Sequence, residues 1–172
     1  MITLYNVISS DGFIARPDGR EDFISDDFWP HTLEFFKSYD ALVMGRETYD
    51  AMQRYGASLL RPFEKLSLTK VIVTRNAAFK PKPGYIVAHS PNDAIALLDG
   101  KNILVSSGPN FNSQLIRGGR VRKVIWWRVP EAIGEGILPF DKDLMSMLAP
   151  PSISPGPLDA ISETRSAINV AP

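Results

Sequence analysis

The sequence contains no cysteine, which excludes disulfides, thiolate nucleophiles, iron–sulfur clusters and cysteine-ligated zinc. It has only two histidines, His31 and His89. They are too few for a three-histidine metal site, so no metal is expected. An excess of charge of one sign is missing as well: 19 Lys and Arg stand against 19 Asp and Glu. Such a chain has no long-range field to draw it to nucleic acid or to an anionic membrane. No apolar run approaches the roughly 20 residues that span a bilayer. The opening residues Met1 to Ile8 carry neither a basic region nor a small-residue cleavage site, so they do not read as a signal peptide. A cytoplasmic protein is the expectation. What is present suits a folded protein: 44% hydrophobic and 22% charged residues over 172 positions fit one globular domain spanning 1–172. If the chain is an enzyme, its chemistry comes from carboxylates, hydroxyls or a bound cofactor.

Along the chain, β-branched runs alternate with short helical patterns. Ile2 to Ile8 reads as a buried strand ending at the turn Ser9-Ser10-Asp11-Gly12. Ser25-Asp26-Asp27 offers a helix start with Pro30 in the first turn, and Trp29, Leu33 and Phe36 fall on one helical face. Ala41 to Met44 is a strand, and Gly45-Arg46 turns it into a helix through Thr48, Tyr49 and Met52. Lys70 to Thr74 and Tyr85 to Ala88 are strands. Ser90-Pro91-Asn92-Asp93 opens a helix that closes at Gly100. Asn102 to Val105 is a strand, Phe111 to Arg117 a helix, and Lys123 to Val129 a strand with one indole of Trp126-Trp127 on each face. One of these indoles is expected in the core, the other at a homodimer interface or over the substrate. Beyond Pro139 the pattern weakens, leaving Leu158 to Ser162 and Ala167 to Val170 as two closing strands. This order predicts an α/β fold, a mostly parallel central sheet flanked by helices with an antiparallel C-terminal edge.

In such sheets ligands gather where strands end and helices begin. Two turns stand out. Gly45-Arg46-Glu47-Thr48 combines close backbone approach, a guanidinium and a hydroxyl at a helix start. Ser106-Ser107-Gly108-Pro109-Asn110 sets small residues between a buried strand and a helix. It is neither a Walker loop nor a GxGxxG fingerprint, and each turn also suits an ordinary strand–helix connection.

The motifs, taken in order, resemble the dihydrofolate reductase superfamily, above all the branch with the riboflavin-biosynthesis reductase domain. Ser10-Asp11-Gly12-Phe13-Ile14-Ala15 is similar to that branch's opening, and Gly45-Arg46-Glu47-Thr48-Tyr49 to the superfamily's Gly-Arg-x-Thr-aromatic signature. Val73-Thr74-Arg75-Asn76 resembles the strand end that meets the adenosine phosphate. Ser107-Gly108 stands at the family's glycine pair. Pro130 to Phe140 resembles the Pro-x-x-x-Gly-x-Gly-x-x-Leu-Phe close.

The resemblance implies a three-layer dihydrofolate-reductase-like fold and NADPH as cofactor, with hydride passing to a small heterocycle of aminopyrimidinone or pterin type. Arg46 and Arg75 would share the 2′-phosphate, for which bidentate guanidinium contacts are suited. Gly45, Thr48, Thr74, Ser107, Gly108 and Asn110 would line the rest of the dinucleotide. Ile14 and Ala15, with main chain from Asn6 and Val7, would hold the nicotinamide. Asp26 and Asp27 lie near the place of the family's first-helix acid, Asp27 being the expected one, though both also suit helix-start charges facing solvent, and Asp11 is a further candidate. A phosphate-bearing substrate would look to Arg16, Arg20 and Lys37. The Ser106 to Pro109 loop departs from the glycine-rich pattern, and Pro109 removes one N–H. The alternative is therefore a non-catalytic NADPH-binding module on the same fold.

Overall fold

The computed structural model describes residues 1–166, and their backbone follows the alternation expected. The elements are β1 (Ile2–Ile8), α1 (Phe28–Phe36), β2 (Ala41–Gly45), α2 (Arg46–Met52), α3 (Ala57–Glu64), β3 (Thr69–Val73) and β4 (Tyr85–Ala88). They continue as α4 (Pro91–Leu97), β5 (Ile103–Val105), α5 (Pro109–Arg117), β6 (Lys123–Arg128), a 3-10 turn (Lys142–Met147), β7 (Ser152–Pro155) and β8 (Ile161–Ser166). One eight-stranded sheet has the order β4-β3-β2-β5-β1-β6-β8-β7. Six strands are parallel, and β8 and β7 join antiparallel at one edge.

The alternation of each strand feeds two cores, one per face of the sheet. Leu4, Ile8, Val43, Val71, Val105 and Trp126 meet α4, α5 and the 3-10 turn on one side. Tyr5, Leu42, Met44, Ile72, Leu104 and Trp127 meet α1, α2 and α3 on the other. Strands covered on both faces read as continuous apolar runs, which is why β1 and β2 were legible without strict alternation. Ser90 caps α4 as its sequence demands, its hydroxyl accepting from the Asp93 N–H at 3.1 Å.

Four local features differ from the pattern reading. Helix α3 carries Pro62 and buries only Leu60 and Phe63, so its signal is too sparse to stand out. The buried stripe of α1 is Phe28, Thr32 and Phe36, with Trp29 and Leu33 only half-buried; a reading of apolar residues alone skips Thr32. The closing hairpin begins earlier than expected, at Ser152, because Pro155 sits on the outermost strand, where a missing N–H costs no ladder bond. Leu158 and Asp159 form its turn in left-handed backbone, and the expected strand Ala167 to Val170 lies outside the described residues. Finally, both indoles are internal. Trp126 stacks on Phe140 at 5.6 Å, and Trp127 meets the Tyr5 ring edge-on at 5.2 Å, so neither faces an outer surface.

Candidate active site

The C-terminal ends of β1, β2, β3 and β5 lie side by side, and the order β2-β5-β1 makes this the place where successive crossovers diverge. A small polar network pins these ends together. The Ser107 hydroxyl accepts from the Gly45 N–H at 3.0 Å, and the Ser107 carbonyl accepts from Asn112 Nδ2 at 2.9 Å and Asn6 Nδ2 at 3.2 Å. Asn112 Nδ2 also reaches the Pro139 carbonyl at 2.9 Å. Ser107 is buried, and its hydroxyl is committed to the β2 terminus rather than aimed at a ligand. An added Cβ on Gly45 would press on that hydroxyl at 3.0 Å, so the glycine is fixed by this close approach.

Around that network stand the residues expected for a dinucleotide. Gly45 and Gly108 are the N-caps of α2 and α5, and neither helix receives a side-chain cap. Their first N–H groups remain to be satisfied by water or a ligand. Pro109 is the first residue of α5, which leaves the N–H groups of Asn110 and Phe111. Arg46 is held in place. Its Nε donates to Asp50 at 2.6 Å and its guanidinium lies 3.9 Å over the Phe79 ring. Arg75 is exposed at the end of β3, the neighbour of β2. Thr74 is buried, its hydroxyl accepting from Asn76 N–H at 3.2 Å, so it braces the turn that presents Arg75. Thr48 and Ile14 line a cavity beside this row, and Ala15 lies behind them in the core.

Of the expected acids, Asp26 is exposed and lines the cavity, while Asp11 and Asp27 point elsewhere. Asp11 is exposed, and its carboxylate accepts from the Ser9 hydroxyl at 2.6 Å, the Gly134 N–H at 2.7 Å and the Ile133 N–H at 3.2 Å. The Ser9 hydroxyl first, then these backbone N–H groups, hold its carboxyl below the usual carboxylate range, so it is an anion that clamps two loops. Asp27 is the exposed N-cap of α1, off the Phe28–Thr32–Phe36 stripe and absent from the cavity wall.

Asp11 explains why two motifs more than 100 residues apart occur in one chain. The Ser9 to Ala15 loop and the Glu131 to Ile137 loop bind each other through Ser10 N–H to Glu131 O (2.8 Å), Ile14 N–H to Ile137 O (2.8 Å) and Ile137 N–H to Ala15 O (2.8 Å). Gly134 takes a φ of 80°, open to glycine. A Cβ on Gly136 would collide with the Ala15 carbonyl and touch Phe13 and Ile133. Gly136→Ala is therefore expected to lower stability by about 1–3 kcal/mol, the cost of overpacking against backbone. A drop in the urea midpoint at unchanged slope would show it; an unchanged midpoint would refute the close approach.

The cavity itself has a volume of about 400 Å³ and runs from Asn6, Val7, Ile14, Thr48 and Ser106 into a space between β1, α1 and α2. Aromatic and apolar groups (Phe28, Trp29, Phe36, Met44, Met52) make its walls. At its floor the Tyr5 hydroxyl and Thr32 Oγ1 stand 3.3 Å apart, both buried. Burial pushes the Tyr5 phenol far up, so this pair is neutral. At the mouth, Tyr55 donates to Glu21 Oε2 at 3.0 Å. Glu21 is an exposed residue, but the protein atoms around its carboxyl raise it above the usual range, against the opposing pull of Tyr55 and Arg54. Tyr5, Thr32, Glu21 and Tyr55 escaped sequence reading because a lone tyrosine in a strand and a loop glutamate carry no spacing signal. Among the described residues no three His, Asp or Glu side chains cluster to hold a metal. No helix there is long and apolar enough to cross a membrane.

No protein-family profile matches the sequence, and no curated protein does. Solved structures do. A riboflavin biosynthesis protein from Shewanella sp. PV-4 superposes with a TM-score of 0.71 at 21% identity, over 96% of this chain and 97% of its own. Dihydrofolate reductase from Enterococcus faecalis, solved with NADP(H) and RAB-propyl, gives 0.69 at 20% identity, over 98% and 97%. A diaminohydroxyphosphoribosylaminopyrimidine deaminase/5-amino-6-(5-phosphoribosylamino)uracil reductase from Thermotoga maritima gives 0.68 at 14% identity, over 97% of this chain and 56% of its own. The parallel strand ends, the cavity beside them and these superpositions lead to one statement: the chain has the fold of the dihydrofolate reductase-like proteins.

Proposed function

We propose that the protein is an NADPH-dependent reductase of a small, flat heterocycle. The observation that supports this reading is the position of Arg46 and Arg75 at the ends of adjacent strands, next to two uncapped helix starts and an aromatic cavity. Those residues fit the cofactor. Arg46 and Arg75 would hold the 2′-phosphate, the N–H groups opening α2 and α5 the pyrophosphate, and Ile14 with the Asn6 and Val7 main chain the nicotinamide. When bound, the cofactor supplies the hydride.

The protein's own groups do the rest. Phe28, Trp29 and Phe36 exclude water from the cavity and pack a planar ring. The Tyr5–Thr32 hydroxyl pair offers that ring one neutral hydrogen-bonding anchor. With Asp11 clamped and Asp27 turned to solvent, Glu21 takes the place of the expected acid. Its raised carboxyl retains a proton to higher pH than an ordinary glutamate; Tyr55 donates to Oε2, which leaves Oε1 to carry and release that proton.

Titration with NADPH followed by addition of a dihydropterin or an aminopyrimidinone tests this. Quenching of Trp29, which lines the cavity, reports binding, and loss of NADPH absorbance reports transfer. Binding with turnover is the expected result. Absence of NADPH binding would refute the assignment, and binding without turnover on either ring class would favour the non-catalytic module, which the missing helix acid also suits.

A further inference from the structure

We propose that Asn112 is a positioning residue of the nucleotide site: its buried amide fixes the peptide between Ser107 and Gly108 so that the Gly108 N–H faces the pyrophosphate. This rests on the reading of the strand ends as an NADPH site. Asn112 would touch neither cofactor nor substrate and acts through the loop it grips.

Asn112 lies in α5 and is 0% exposed. Its Nδ2 stands 2.9 Å from the Ser107 carbonyl, 2.9 Å from the Pro139 carbonyl and 3.3 Å from Asn6 Oδ1. Carbonyl oxygens only accept, so the nitrogen of the amide must face them. The Asn112 main-chain N–H donates to the Gly108 carbonyl at 3.2 Å. One residue therefore grips two consecutive carbonyls, and Asn6 Nδ2 adds a second donor to that of Ser107 at 3.2 Å.

The consequence lies in the geometry of the peptide unit. Among the described residues no peptide bond is cis, and in a trans peptide the C=O and N–H point in opposite directions. With the Ser107 carbonyl turned inward to Asn112 and Asn6, the Gly108 N–H is turned outward. It donates to no protein group among the described residues, and it opens α5, where an anion is favoured. Rotating this peptide would break the bonds from both asparagines.

The same amide joins the parts of the site that would hold the nicotinamide half. Asn6 belongs to the end of β1, and Pro139 closes the segment whose Ile137 bonds Ile14 and Ala15 at 2.8 Å. The start of α2, by contrast, meets this loop through the Ser107 hydroxyl, not through the carbonyl that Asn112 grips. Stability alone would be better served by another residue here. Asn112 Oδ1 is buried and accepts from no group among the described residues, and a half-satisfied buried amide is worse than an apolar core.

The test compares NADPH with adenosine 2′-monophosphate, which carries the phosphate assigned to Arg46 and Arg75 but no pyrophosphate or nicotinamide. Both are titrated calorimetrically into wild type and Asn112→Ala, with melting followed in parallel. Asn112→Ala is expected to weaken NADPH by about tenfold, the worth of a hydrogen bond or two in the loop. The monophosphate should change by less than about threefold on the same scale. In nitrogen-15 spectra of the wild type, NADPH should move the Gly108 amide resonance and adenosine 2′-monophosphate should not. If Asn112→Ala does not fold, Asn6→Ala, which withdraws the second donor on the Ser107 carbonyl, decides on the same split. Equal weakening of both ligands, unchanged NADPH affinity or a Gly108 resonance unmoved by NADPH would each overturn the proposal. Failure of both variants to fold would overturn it as well, since the amides would then hold the fold and not the loop. Failure of the cofactor reading is distinct: the wild type itself would bind no NADPH.

Discussion

Arg46→Ala is expected to weaken NADPH binding by about 10- to 100-fold, the worth of a charge-assisted hydrogen bond or two to a phosphate. NADH binding, which lacks the 2′-phosphate, should change by less than about threefold on the same scale. The size of the effect follows from how the guanidinium is prepared. Asp50, one helical turn on, holds Nε at 2.6 Å, and Phe79 supports the flat face at 3.9 Å. Both contacts leave the outer Nη groups of Arg46 for a ligand at the end of β2. A side chain already ordered loses less entropy when it binds. Arg75, exposed just beyond the next strand, would be the second arm of the proposed clamp, and Arg46→Ala would leave it single. Parallel fluorescence titrations of both nucleotides at low and moderate salt decide the matter. Equal weakening of NADPH and NADH would place Arg46 away from the 2′-phosphate.

Glu163→Ala is expected to cost about 3 kcal/mol of stability, near the lower end of what breaking a buried ion pair costs. Glu163 is the hub of a three-residue cluster joining the antiparallel edge to the parallel sheet. Its two oxygens accept from Arg128 Nη2 at 2.9 Å and Arg165 Nε at 2.7 Å, while its own side chain is 6% exposed. Arg128 continues the connection, donating to the Ser10 carbonyl at 2.9 Å, next to the Asp11 clamp. Removing the carboxylate leaves two guanidiniums flanking the vacated position, one from β6 and one from β8, with no anion between them. Their exposures of 26% and 17% allow some rehydration, which keeps the cost from reaching the top of the range. Glu163→Gln, which retains shape and one acceptor, should lose less. Urea denaturation reads both; a midpoint for Glu163→Ala within error of wild type would show that the cluster is dispensable.

The strand-and-helix frame was legible because each element carries a local cause. Ser90 and Pro91 start α4 by capping and preset φ. The apolar runs of β1, β2 and β5 need burial on both faces and so imply helices on both sides. Local causes failed where the deciding partner is remote. Thr32 is polar in sequence and belongs to the buried stripe of α1, because the Tyr5 hydroxyl, 27 positions earlier, is there to meet it. Asp11 carries the appearance of an acid beside a turn glycine. The Ile133 and Gly134 N–H groups, more than 120 positions later, make it a clamp.

The sequence by itself determined the α/β class, the position of the two candidate strand–helix turns, and the placing of Arg46 and Arg75 at strand ends. It also determined that no cysteine or histidine-rich metal chemistry is available, since composition admits no appeal to folding. The tertiary structure alone decided which acids face the cavity and where the neutral hydroxyl pair sits. The physical reason is range. Capping, periodicity and turn chemistry act within a few residues, whereas electrostatic neutralisation and burial depend on which distant groups the fold brings to within about 3 Å, the reach of a hydrogen bond.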